Sequence, residues 1–406
     1  MRPVMAEERV GLVLAGGGAR GAYEVGALSV LLPALEARGE RPTVLVGASV
    51  GGMNVAYLAA NADLSADEVV AGGVALWRAL RWDQVLGPLL APSTVFRAFC
   101  YAADALGVPR AMLTGLFDTR PLGRTVTRVI DFERLHRNID AGFLDATAVV
   151  GTSAATTRSV VFVEGHPVPG EDVGQGIDYV ATRLDGEHVR ASAAIPSLFP
   201  AVHVSRPSQA RGWYIDGGVR LNAPLRPALS LAVDRVVVIG LNAIPQAPSR
   251  LASEHRPDAF RGAADFLNGT LINQLVEDVR RLGTRECPSR PPSRPGHRNR
   301  RLARPSRPLH LHHPTSPRGC RESGRADLRR ALRGLEALRS IDLALFARLI
   351  GGDGAGHGDL LSYLFFAPEF ATALIELGPR GRARWLTAHT GPEGPWELQD
   401  VGLLNG

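Results

Sequence analysis

A serine framed by glycines is the residue whose surroundings best suit nucleophilic chemistry in this chain. Ser49 stands in the run Gly47-Ala48-Ser49-Val50-Gly51, which follows the pattern G-x-S-x-G. A nucleophilic hydroxyl must be lifted clear of a sheet on a sharp turn, and that turn needs neighbours without bulky side chains. Gly47 and Gly51 meet this demand, so the pattern predicts a nucleophile elbow with Ser49 at its tip.

A glycine-rich turn about thirty residues earlier is suited to bind a developing oxyanion. It comprises Gly16, Gly17, Gly18, Ala19, Arg20 and Gly21. Backbone N–H groups in such a loop at a helix N-terminus point outward together and lie at the positive end of the helix dipole. Each well-aimed donor lowers the barrier of acyl transfer by about 3 kcal/mol. We therefore expect this turn to stabilise the tetrahedral intermediate formed at Ser49.

The same turn also matches the dinucleotide-binding spacing G-x-G-x-x-G, through Gly16, Gly18 and Gly21. A nucleotide-binding fold places an acid at the end of its second strand, about twenty residues after the glycines, to bind the ribose. Here the second strand runs into the Ser49 turn, and acids at that distance, such as Glu36, precede the strand. The sequence therefore favours acyl transfer over nucleotide binding.

The candidate base is an aspartate in the turn Asp216-Gly217-Gly218. Two glycines after an acid allow a tight turn at a strand end, which can bring the carboxylate to another loop. By itself such a turn is usually only structural. Histidine is the commoner base, but the histidines of the first 240 residues lie in no catalytic pattern: His136, His166, His188 and His203.

Both glycine turns are predicted to join a buried strand to a helix. The runs Val10 to Ala15 and Thr43 to Val46 are short, apolar and bounded by turns. Helical spacing follows each run, first in Val25, Leu28, Leu32 and Leu35 and then in Met53, Ala56, Tyr57 and Ala60. Pro33 is expected to bend or shorten the first helix. Further strands are predicted at Ala146 to Thr152, Ser159 to Val163 and Arg235 to Leu241.

Taken together, these motifs resemble the patatin-like phospholipases, lipid acyl hydrolases that use a Ser-Asp dyad without histidine. The resemblance covers both glycine turns, the Asp216 turn and the stretch Ala191 to Pro196 with Phe199-Pro200. It implies a three-layer α/β/α hydrolase with a mostly parallel central sheet, with Ser49 as nucleophile and Asp216 as base. The N–H groups around Gly17, Gly18 and Ala19 would form the oxyanion hole, and Arg20 would brace that loop.

The mechanism that the resemblance implies is acyl transfer in two steps through an acyl-enzyme on Ser49. An ordinary carboxylate, with a pKa of about 3.9, is a weak base for a hydroxyl, so Asp216 should be partly desolvated. Trp213, Tyr214 and Ile215 are the expected apolar wall. Two alternatives remain: an α/β-hydrolase esterase with a histidine, and a catalytically inactive lipid- or membrane-binding module of the same fold.

An aromatic-rich region between the elbow and the Asp216 turn is a candidate acyl pocket or lid. It runs from Leu76 to Phe117 and includes Trp77, Trp82, Phe96, Phe99 and Tyr101. A fatty acyl group needs an apolar lining of this kind. Ordinary core helices explain any single one of these aromatics equally well.

The positive charge of the chain is confined to one segment. The 406 residues carry a net charge of +6, but residues 285–325 alone hold eleven arginines against two acids, which leaves −3 for the rest. This Arg/Pro-rich composition cannot bury enough apolar surface to order itself. Three interpretations compete: an inert linker, a basic segment that binds nucleic acid or an anionic membrane, and a mistranslated stretch. The triplet His310, His312 and His313 is interpreted as composition, not as metal ligands.

The remaining organisation follows from these divisions. We predict a catalytic domain at 8–245, a helical connection at 246–284, the Arg/Pro-rich segment at 285–325 and a helical C-terminal extension at 326–406. Within the extension, Phe370, Leu374 and Leu377 indicate a short helix stopped by Gly378-Pro379. A short Leu360 to Phe366 stretch precedes it.

We expect a cytoplasmic protein, because the chain has no run of eighteen apolar residues and no charged-then-apolar signal pattern. Cys100, Cys287 and Cys320 are too few and too far apart to indicate a disulfide framework or a metal site. No metal or cofactor is expected. The expected partner is a lipid or phospholipid substrate, with peripheral membrane contact left open and no nucleic acid. Head group, acyl position, chain length, acyl acceptor and oligomeric state stay open.

Overall fold

The computed structural model describes residues 8–88, 115–172, 174, 176–241, 309–312 and 362–388. For 309–312 and 380–388 the description is limited to the backbone. The predicted domain boundaries near 245, 284 and 325 lie outside the described residues and stay predictions. So do the helical pattern predicted before residue 361 and the aromatics Phe96, Phe99 and Tyr101.

In the described part of the chain, nine strands form one sheet, in the order β5-β4-β3-β2-β1-β8-β9, with β7 added beside β3 and β6 beside β7. The strands are β1 (Val10–Leu14), β2 (Val44–Ala48), β3 (Ala146–Ser153), β4 (Ser159–Gly165), β5 (Ile177–Ala181), β6 (Val202–Val204), β7 (Gly212–Asp216), β8 (Arg235–Ile239) and β9 (Leu309–His312). Neighbours from β3 through β2, β1 and β8 to β9 run parallel, as do β4 and β5. β4 and β7 each pair antiparallel with β3, and β6 pairs antiparallel with β7.

Helices flank this sheet. They are α1 (Gly21–Glu36), α2 (Val50–Ala60), α3 (Ala66–Ala79), α4 (Arg120–Val129), α5 (Phe132–Asp140), α6 (Gly186–Ser192), α7 (Leu225–Ser230) and α8 (Pro368–Ala388). Every residue of β1 and β2 is buried, which requires cover on both faces of the sheet. The predicted α/β/α architecture with a mostly parallel sheet is therefore confirmed.

The sheet brings the two glycine turns to one edge. β1 and β2 are parallel neighbours with Leu14 opposite Gly47, so both strands end side by side and both lead into helices. Ligands of open α/β sheets bind beyond the carboxyl ends of the strands for this reason. The Asp216 turn reaches the same region from an antiparallel strand. β7 pairs antiparallel with β3, and this pairing places Asp216 opposite Gly151. Val150, one residue before Gly151, pairs with Ala48 at the end of β2.

One of two expectations about proline-containing helices was wrong. The helix α1 continues through Pro33 to Glu36, so Pro33 does not end it, and the bend expected there stays a prediction. The helix α8 continues through Gly378-Pro379 to Ala388, whereas the sequence predicted a stop there. Pro379 deprives only the Ile375 carbonyl of its helical N–H donor. That carbonyl faces Gly26 of α1, where a Cβ would overlap it, so close packing of the two backbones offsets the lost bond.

One part of the Arg/Pro-rich segment is ordered as a strand, contrary to the expectation from composition. Leu309–His312 form β9 and pair with β8, with His310 opposite Val237. An edge strand needs only a partner for its backbone, so it can form from residues with little apolar content. Both His310 and His312 are strand residues of the sheet edge. The rest of 285–325 lies outside the described residues.

Among the helices that the structure describes, none has the length and apolar character needed to cross a membrane.

Candidate active site

Ser49 and Asp216 form a direct hydrogen bond. The Ser49 Oγ donates to Asp216 Oδ2 at 2.6 Å, and both residues are buried. Ser49 directly follows β2 and precedes α2, with φ 53° and ψ −125°. A positive φ is rare for a serine and marks a strained turn that aims the side chain away from the sheet. The two residues predicted to act together are thus brought together, although 167 positions separate them.

The elbow is tight enough to exclude side chains on both sides of Ser49. A Cβ at Gly47 would overlap the backbone of Gly51, and a Cβ at Gly51 would overlap the carbonyl of Leu14. Only glycine fits at either position. The glycines therefore allow the close approach of β1, β2 and α2 that holds the serine in place.

A second serine fixes the backbone of the elbow. The Ser49 N–H donates to the Oγ of Ser192, at the end of α6, over 2.8 Å. Ser192 is fully buried. Ser192 belongs to the stretch Ala191 to Pro196 that carries part of the family resemblance, but its role could not be predicted from the sequence. The signal that could have identified Ser192 is a single hydroxyl side chain in a run of alanines, where a buried hydrogen-bond partner is expected.

Burial sets the proton affinity of Asp216. Desolvation raises the pKa of Asp216 to about 7, although the hydrogen bonds from Ser49 and from the Gly218 N–H act in the opposite direction. The Gly218 N–H donates to Asp216 Oδ1 at 2.7 Å, so the turn that contains Asp216 also fixes the orientation of its carboxylate. Gly217 lies against the Val150 carbonyl, where a Cβ would overlap it. The Asp216 turn is thus packed against β3.

The prediction that Trp213 forms part of an apolar wall around Asp216 was wrong. This side chain is 56% exposed and packs edge to face against His203, on the far face of the strand. Alternate residues of a strand point to opposite faces, so Tyr214 shares the face of Asp216 while Trp213 and Ile215 do not. Tyr214 is buried against Phe162.

The glycine turn lies directly beside Ser49. A Cβ placed on Gly16 would be 3.0 Å from the Ser49 Cβ. The Gly16 N–H donates to the Asn222 carbonyl, and the Arg20 N–H donates to the Gly17 carbonyl. Within the described residues no hydrogen bond engages the N–H groups of Gly17, Gly18 and Ala19. These N–H groups are therefore available to an anion beside Ser49, and a helix, α1, begins at Gly21.

An apolar cavity of about 230 Å³ opens beside Ser49. Its walls come mainly from α2, α3, α4 and a residue of the C-terminal segment, including Val50, Met53, Trp77, Leu122, Val126 and Phe366. Trp77 comes from the region that the sequence singled out for an acyl pocket. Trp82 and Phe117 of the same region are instead buried core residues that pack edge to face.

A buried polar chain borders this cavity. The Trp77 Nε1 donates to Asn54 Oδ1 at 3.1 Å, and Asn54 Nδ2 donates to Glu24 Oε2 at 2.6 Å. Complete burial raises the pKa of Glu24 well above its ordinary value. No sequence motif pointed to this chain, because its three residues come from three different helices.

Replacing Glu24 with glutamine is expected to stabilise the fold at alkaline pH. The raised pKa means that the folded state retains a proton that the unfolded chain releases, so the stability contributed by this group declines as the pH rises. Glutamine keeps the acceptor for Asn54 without that penalty. Urea unfolding at pH 5 and pH 8 measures the effect: the advantage of Glu24→Gln should grow with pH, and an equal effect at both would contradict the assignment.

Two of the described histidines are buried in polar contacts of their own. His136 Nδ1 lies 2.6 Å from Glu164 Oε1, and both are buried. His188 is fully buried between Asp185 and the Arg206 carbonyl. No hydrogen bond between a histidine and Ser49 or Asp216 is found among the described residues. Ser49 and Asp216 are hydrogen-bonded to each other there.

These features define an α/β protein in which a serine and an aspartate are hydrogen-bonded at the carboxyl edge of a mostly parallel sheet, beside a glycine turn. The sequence model of the patatin-like phospholipases matches residues 12–229, more than half of the chain. The chain therefore belongs to the patatin-like phospholipase family, and the resemblance drawn from its motifs is confirmed.

Two solved structures are similar to the chain over part of their length. VipD from Legionella pneumophila is 17% identical with a TM-score of 0.31, and the match covers 68% of this chain and 54% of VipD. The human GIVD cytosolic phospholipase A2, in complex with methyl gamma-linolenyl fluorophosphonate, is 12% identical with a TM-score of 0.35, and the match covers 93% of this chain and 60% of that one. The chain thus spans less than two thirds of either protein. No curated protein matches it.

Proposed function

We propose that the chain is a lipid acyl hydrolase that cleaves carboxylic esters through an acyl-enzyme on Ser49. The observation that carries this proposal is the 2.6 Å hydrogen bond from Ser49 Oγ to Asp216 Oδ2 at the wall of an apolar cavity. A nucleophile paired with a base beside an acyl-sized apolar space is the minimum that ester hydrolysis of a lipid requires. Membership of a phospholipase family supports the choice of a lipid as substrate.

In the first step the Ser49 oxygen attacks the ester carbonyl while its proton passes to Asp216 Oδ2. The carbonyl oxygen becomes an oxyanion, which the N–H groups of Gly17, Gly18 and Ala19 stabilise. Collapse of this intermediate breaks the bond to the alcohol, and the protonated Asp216 returns its proton to the leaving oxygen. The acyl group is left on Ser49, with its chain in the cavity.

In the second step Asp216 takes a proton from water, whose oxygen attacks the acyl-enzyme. The tetrahedral intermediate forms at the same N–H groups and collapses to the free fatty acid, and the proton returns to Ser49. Both steps need a base that accepts a proton near neutral pH. A pKa raised to about 7 gives Asp216 this property without a histidine.

We place this activity in the cytoplasm, with substrate drawn from lipid at a membrane surface. A catalytically inactive lipid-binding module of the same fold is the alternative, and it would keep the cavity but not the reactive serine. The head group and the acyl position are left to substrate profiling.

Labelling with an alkyl fluorophosphonate, combined with hydrolysis assays, tests the proposal. The purified protein should take up one probe on the peptide containing Ser49, and it should hydrolyse p-nitrophenyl esters and phospholipid vesicles. Heat-denatured protein is the control, because an activated serine exists only in the fold. Absence of both labelling and hydrolysis in well-folded protein would favour the inactive module.

A further inference from the structure

We infer that the segment 362–366 is part of the active site: Ser362 and Tyr363 position the oxyanion loop through Arg20, and Phe366 closes the acyl cavity. This inference rests on the proposed function and extends it to residues far beyond 12–229, the range that the family model matches. It makes the C-terminal segment a requirement for catalysis, not only an extension packed on the core.

The first contact is between Arg20 and Ser362. The guanidinium donates from Nε at 2.8 Å and from Nη2 at 2.6 Å to the same Ser362 Oγ. Arg20 is only 3% exposed and Ser362 only 1%. Hydrogen bonds to a charged donor are stronger than neutral ones, and they gain strength when water is excluded. Arg20 thereby ties the glycine turn to a residue 342 positions away.

Tyr363 makes two further contacts with the same loop. The Arg20 Cζ lies 4.1 Å from the centroid of the Tyr363 ring, which adds a cation–π interaction. The Tyr363 carbonyl lies against Gly18, where a Cβ would overlap it. Gly18 has φ +57°, a conformation that favours glycine, so the loop is shaped to accept this carbonyl. The turn that presents the oxyanion donors is therefore packed against backbone from the C-terminal segment.

The segment itself is firmly anchored. Leu364 and Phe365 are buried, and Phe365 packs edge to face on Phe370 of α8. The helix α8 packs along α1, the helix that begins at Gly21 where the glycine turn ends. The oxyanion loop is thus held at its tip by 362–363 and at its end by the α1–α8 pair. Donors of an oxyanion hole act only when they are preorganised, so this support bears directly on rate.

The same segment reaches the acyl cavity. Phe366 lines it together with Gly18 and Ser49. One short stretch of chain therefore supports the oxyanion loop and forms part of the acyl-binding wall.

The first test is kinetic, on the full chain. Ser362→Ala should lower kcat for a p-nitrophenyl ester about tenfold or more with little change in KM, because a small misplacement of catalytic groups costs rate and not binding. Inactivation by the fluorophosphonate should slow to a similar extent. Ile177→Ala is the matched control, because Ile177 is a buried residue of β5, at the edge of the sheet and outside the cavity lining. It should lower Tm at least as much and keep kcat.

A double variant tests whether Ser362 acts through Arg20. The loss in Arg20→Gln with Ser362→Ala should be no larger than in Arg20→Gln alone, since residues in one network are not additive. Unchanged kcat in Ser362→Ala, additive losses, or an equal loss in Ile177→Ala would overturn the inference while wild-type hydrolysis stands. If instead the wild type neither reacts with the probe nor hydrolyses esters, the proposed function fails, and the positioning role built on it falls with it.

Phe366→Ala tests the wall of the cavity separately. Removal of the ring enlarges the acyl space, so the ratio of kcat/KM for dodecanoate to that for butyrate should rise severalfold or more. Phe162→Leu, a substitution at a buried aromatic that packs on Tyr214 and does not line the cavity, should leave this ratio unchanged. If Phe366→Ala and the wild type show the same ratio of kcat/KM for dodecanoate to butyrate, Phe366 does not form part of the acyl-binding wall.

Discussion

Ser49→Ala is expected to abolish ester hydrolysis, with kcat lowered by about 10⁴-fold or more. The substitution removes the atom that forms the acyl-enzyme, and no other group in the described part of the site is placed to take its role. The Asp216 carboxylate and the glycine turn remain, so a small residual rate through direct attack by water is the most that the variant can retain. The fluorophosphonate label on the Ser49 peptide should vanish entirely.

The fold should tolerate this change, which keeps the interpretation clear. Alanine can adopt the strained turn no worse than serine, and the N–H of residue 49 can still donate to Ser192 Oγ. Ser29→Ala is a matched control, because its hydroxyl bonds only within α1, to the Gly26 carbonyl. Hydrolysis and labelling measured side by side should be intact in Ser29→Ala. Full activity in Ser49→Ala would mean that another residue is the nucleophile.

The glycine turns could be predicted because their requirements are local. Gly47 and Gly51 are needed where strand and helix backbones meet within a few residues, and such close approach leaves a pattern in the sequence. The apolar runs of β1 and β2 are similarly local, because parallel strands are buried on both faces. The α/β/α architecture followed from these elements together with the family resemblance.

The position of Asp216 could not be derived from local pattern. It depends on β7 pairing antiparallel with β3 while β3 pairs parallel with β2, and pairing across such distances leaves no fixed spacing. The acid-Gly-Gly turn made Asp216 a candidate base, but only the family resemblance assigned it to Ser49. The error at Trp213 was avoidable, because the alternation of faces along a strand places it opposite to Asp216.

The contacts of the C-terminal segment were the least predictable part of the site. Arg20 was expected to brace its own turn, but its partner Ser362 lies 342 positions away in a stretch without a motif. The continuation of α8 past Gly378-Pro379 depends in the same way on packing against Gly26, which overrides the local stop signal. In each case a tertiary contact decides what the sequence leaves open.

The second large effect is expected from Asp216→Asn, which should lower kcat by about 10³-fold or more while preserving the fold. Asparagine is nearly isosteric, and its carbonyl oxygen can still accept from the Gly218 N–H. Its amide cannot accept the proton of Ser49, so the nucleophile loses its base. Steady-state kinetics with the p-nitrophenyl ester measures the loss. Near-normal kcat would assign the base to another group.

The pH dependence of both activity and stability follows from the pKa of about 7 at Asp216. The base must be unprotonated, so kcat/KM of the wild type should fall about tenfold per pH unit below that value. The contribution of Asp216 to the free energy of unfolding changes with pH in the opposite direction to the activity. Because the folded pKa exceeds the unfolded one, the stability from this group is complete below about pH 4 and is lost as the pH rises through 7.

Asp216→Asn should therefore become more stable than the wild type as the pH rises. The difference between pH 4 and pH 8 is at most about 4 kcal/mol, from three pH units at about 1.4 kcal/mol each. Urea unfolding at both values measures it. In the proposed mechanism the two effects are linked, because the burial that raises the pKa of Asp216 enough to activate Ser49 also penalises the charge of its carboxylate. If Asp216→Asn is inactive but more stable than the wild type at pH 8, the burial of Asp216 links activity to the loss of stability. If the variant and the wild type are equally stable at pH 8, that link is contradicted.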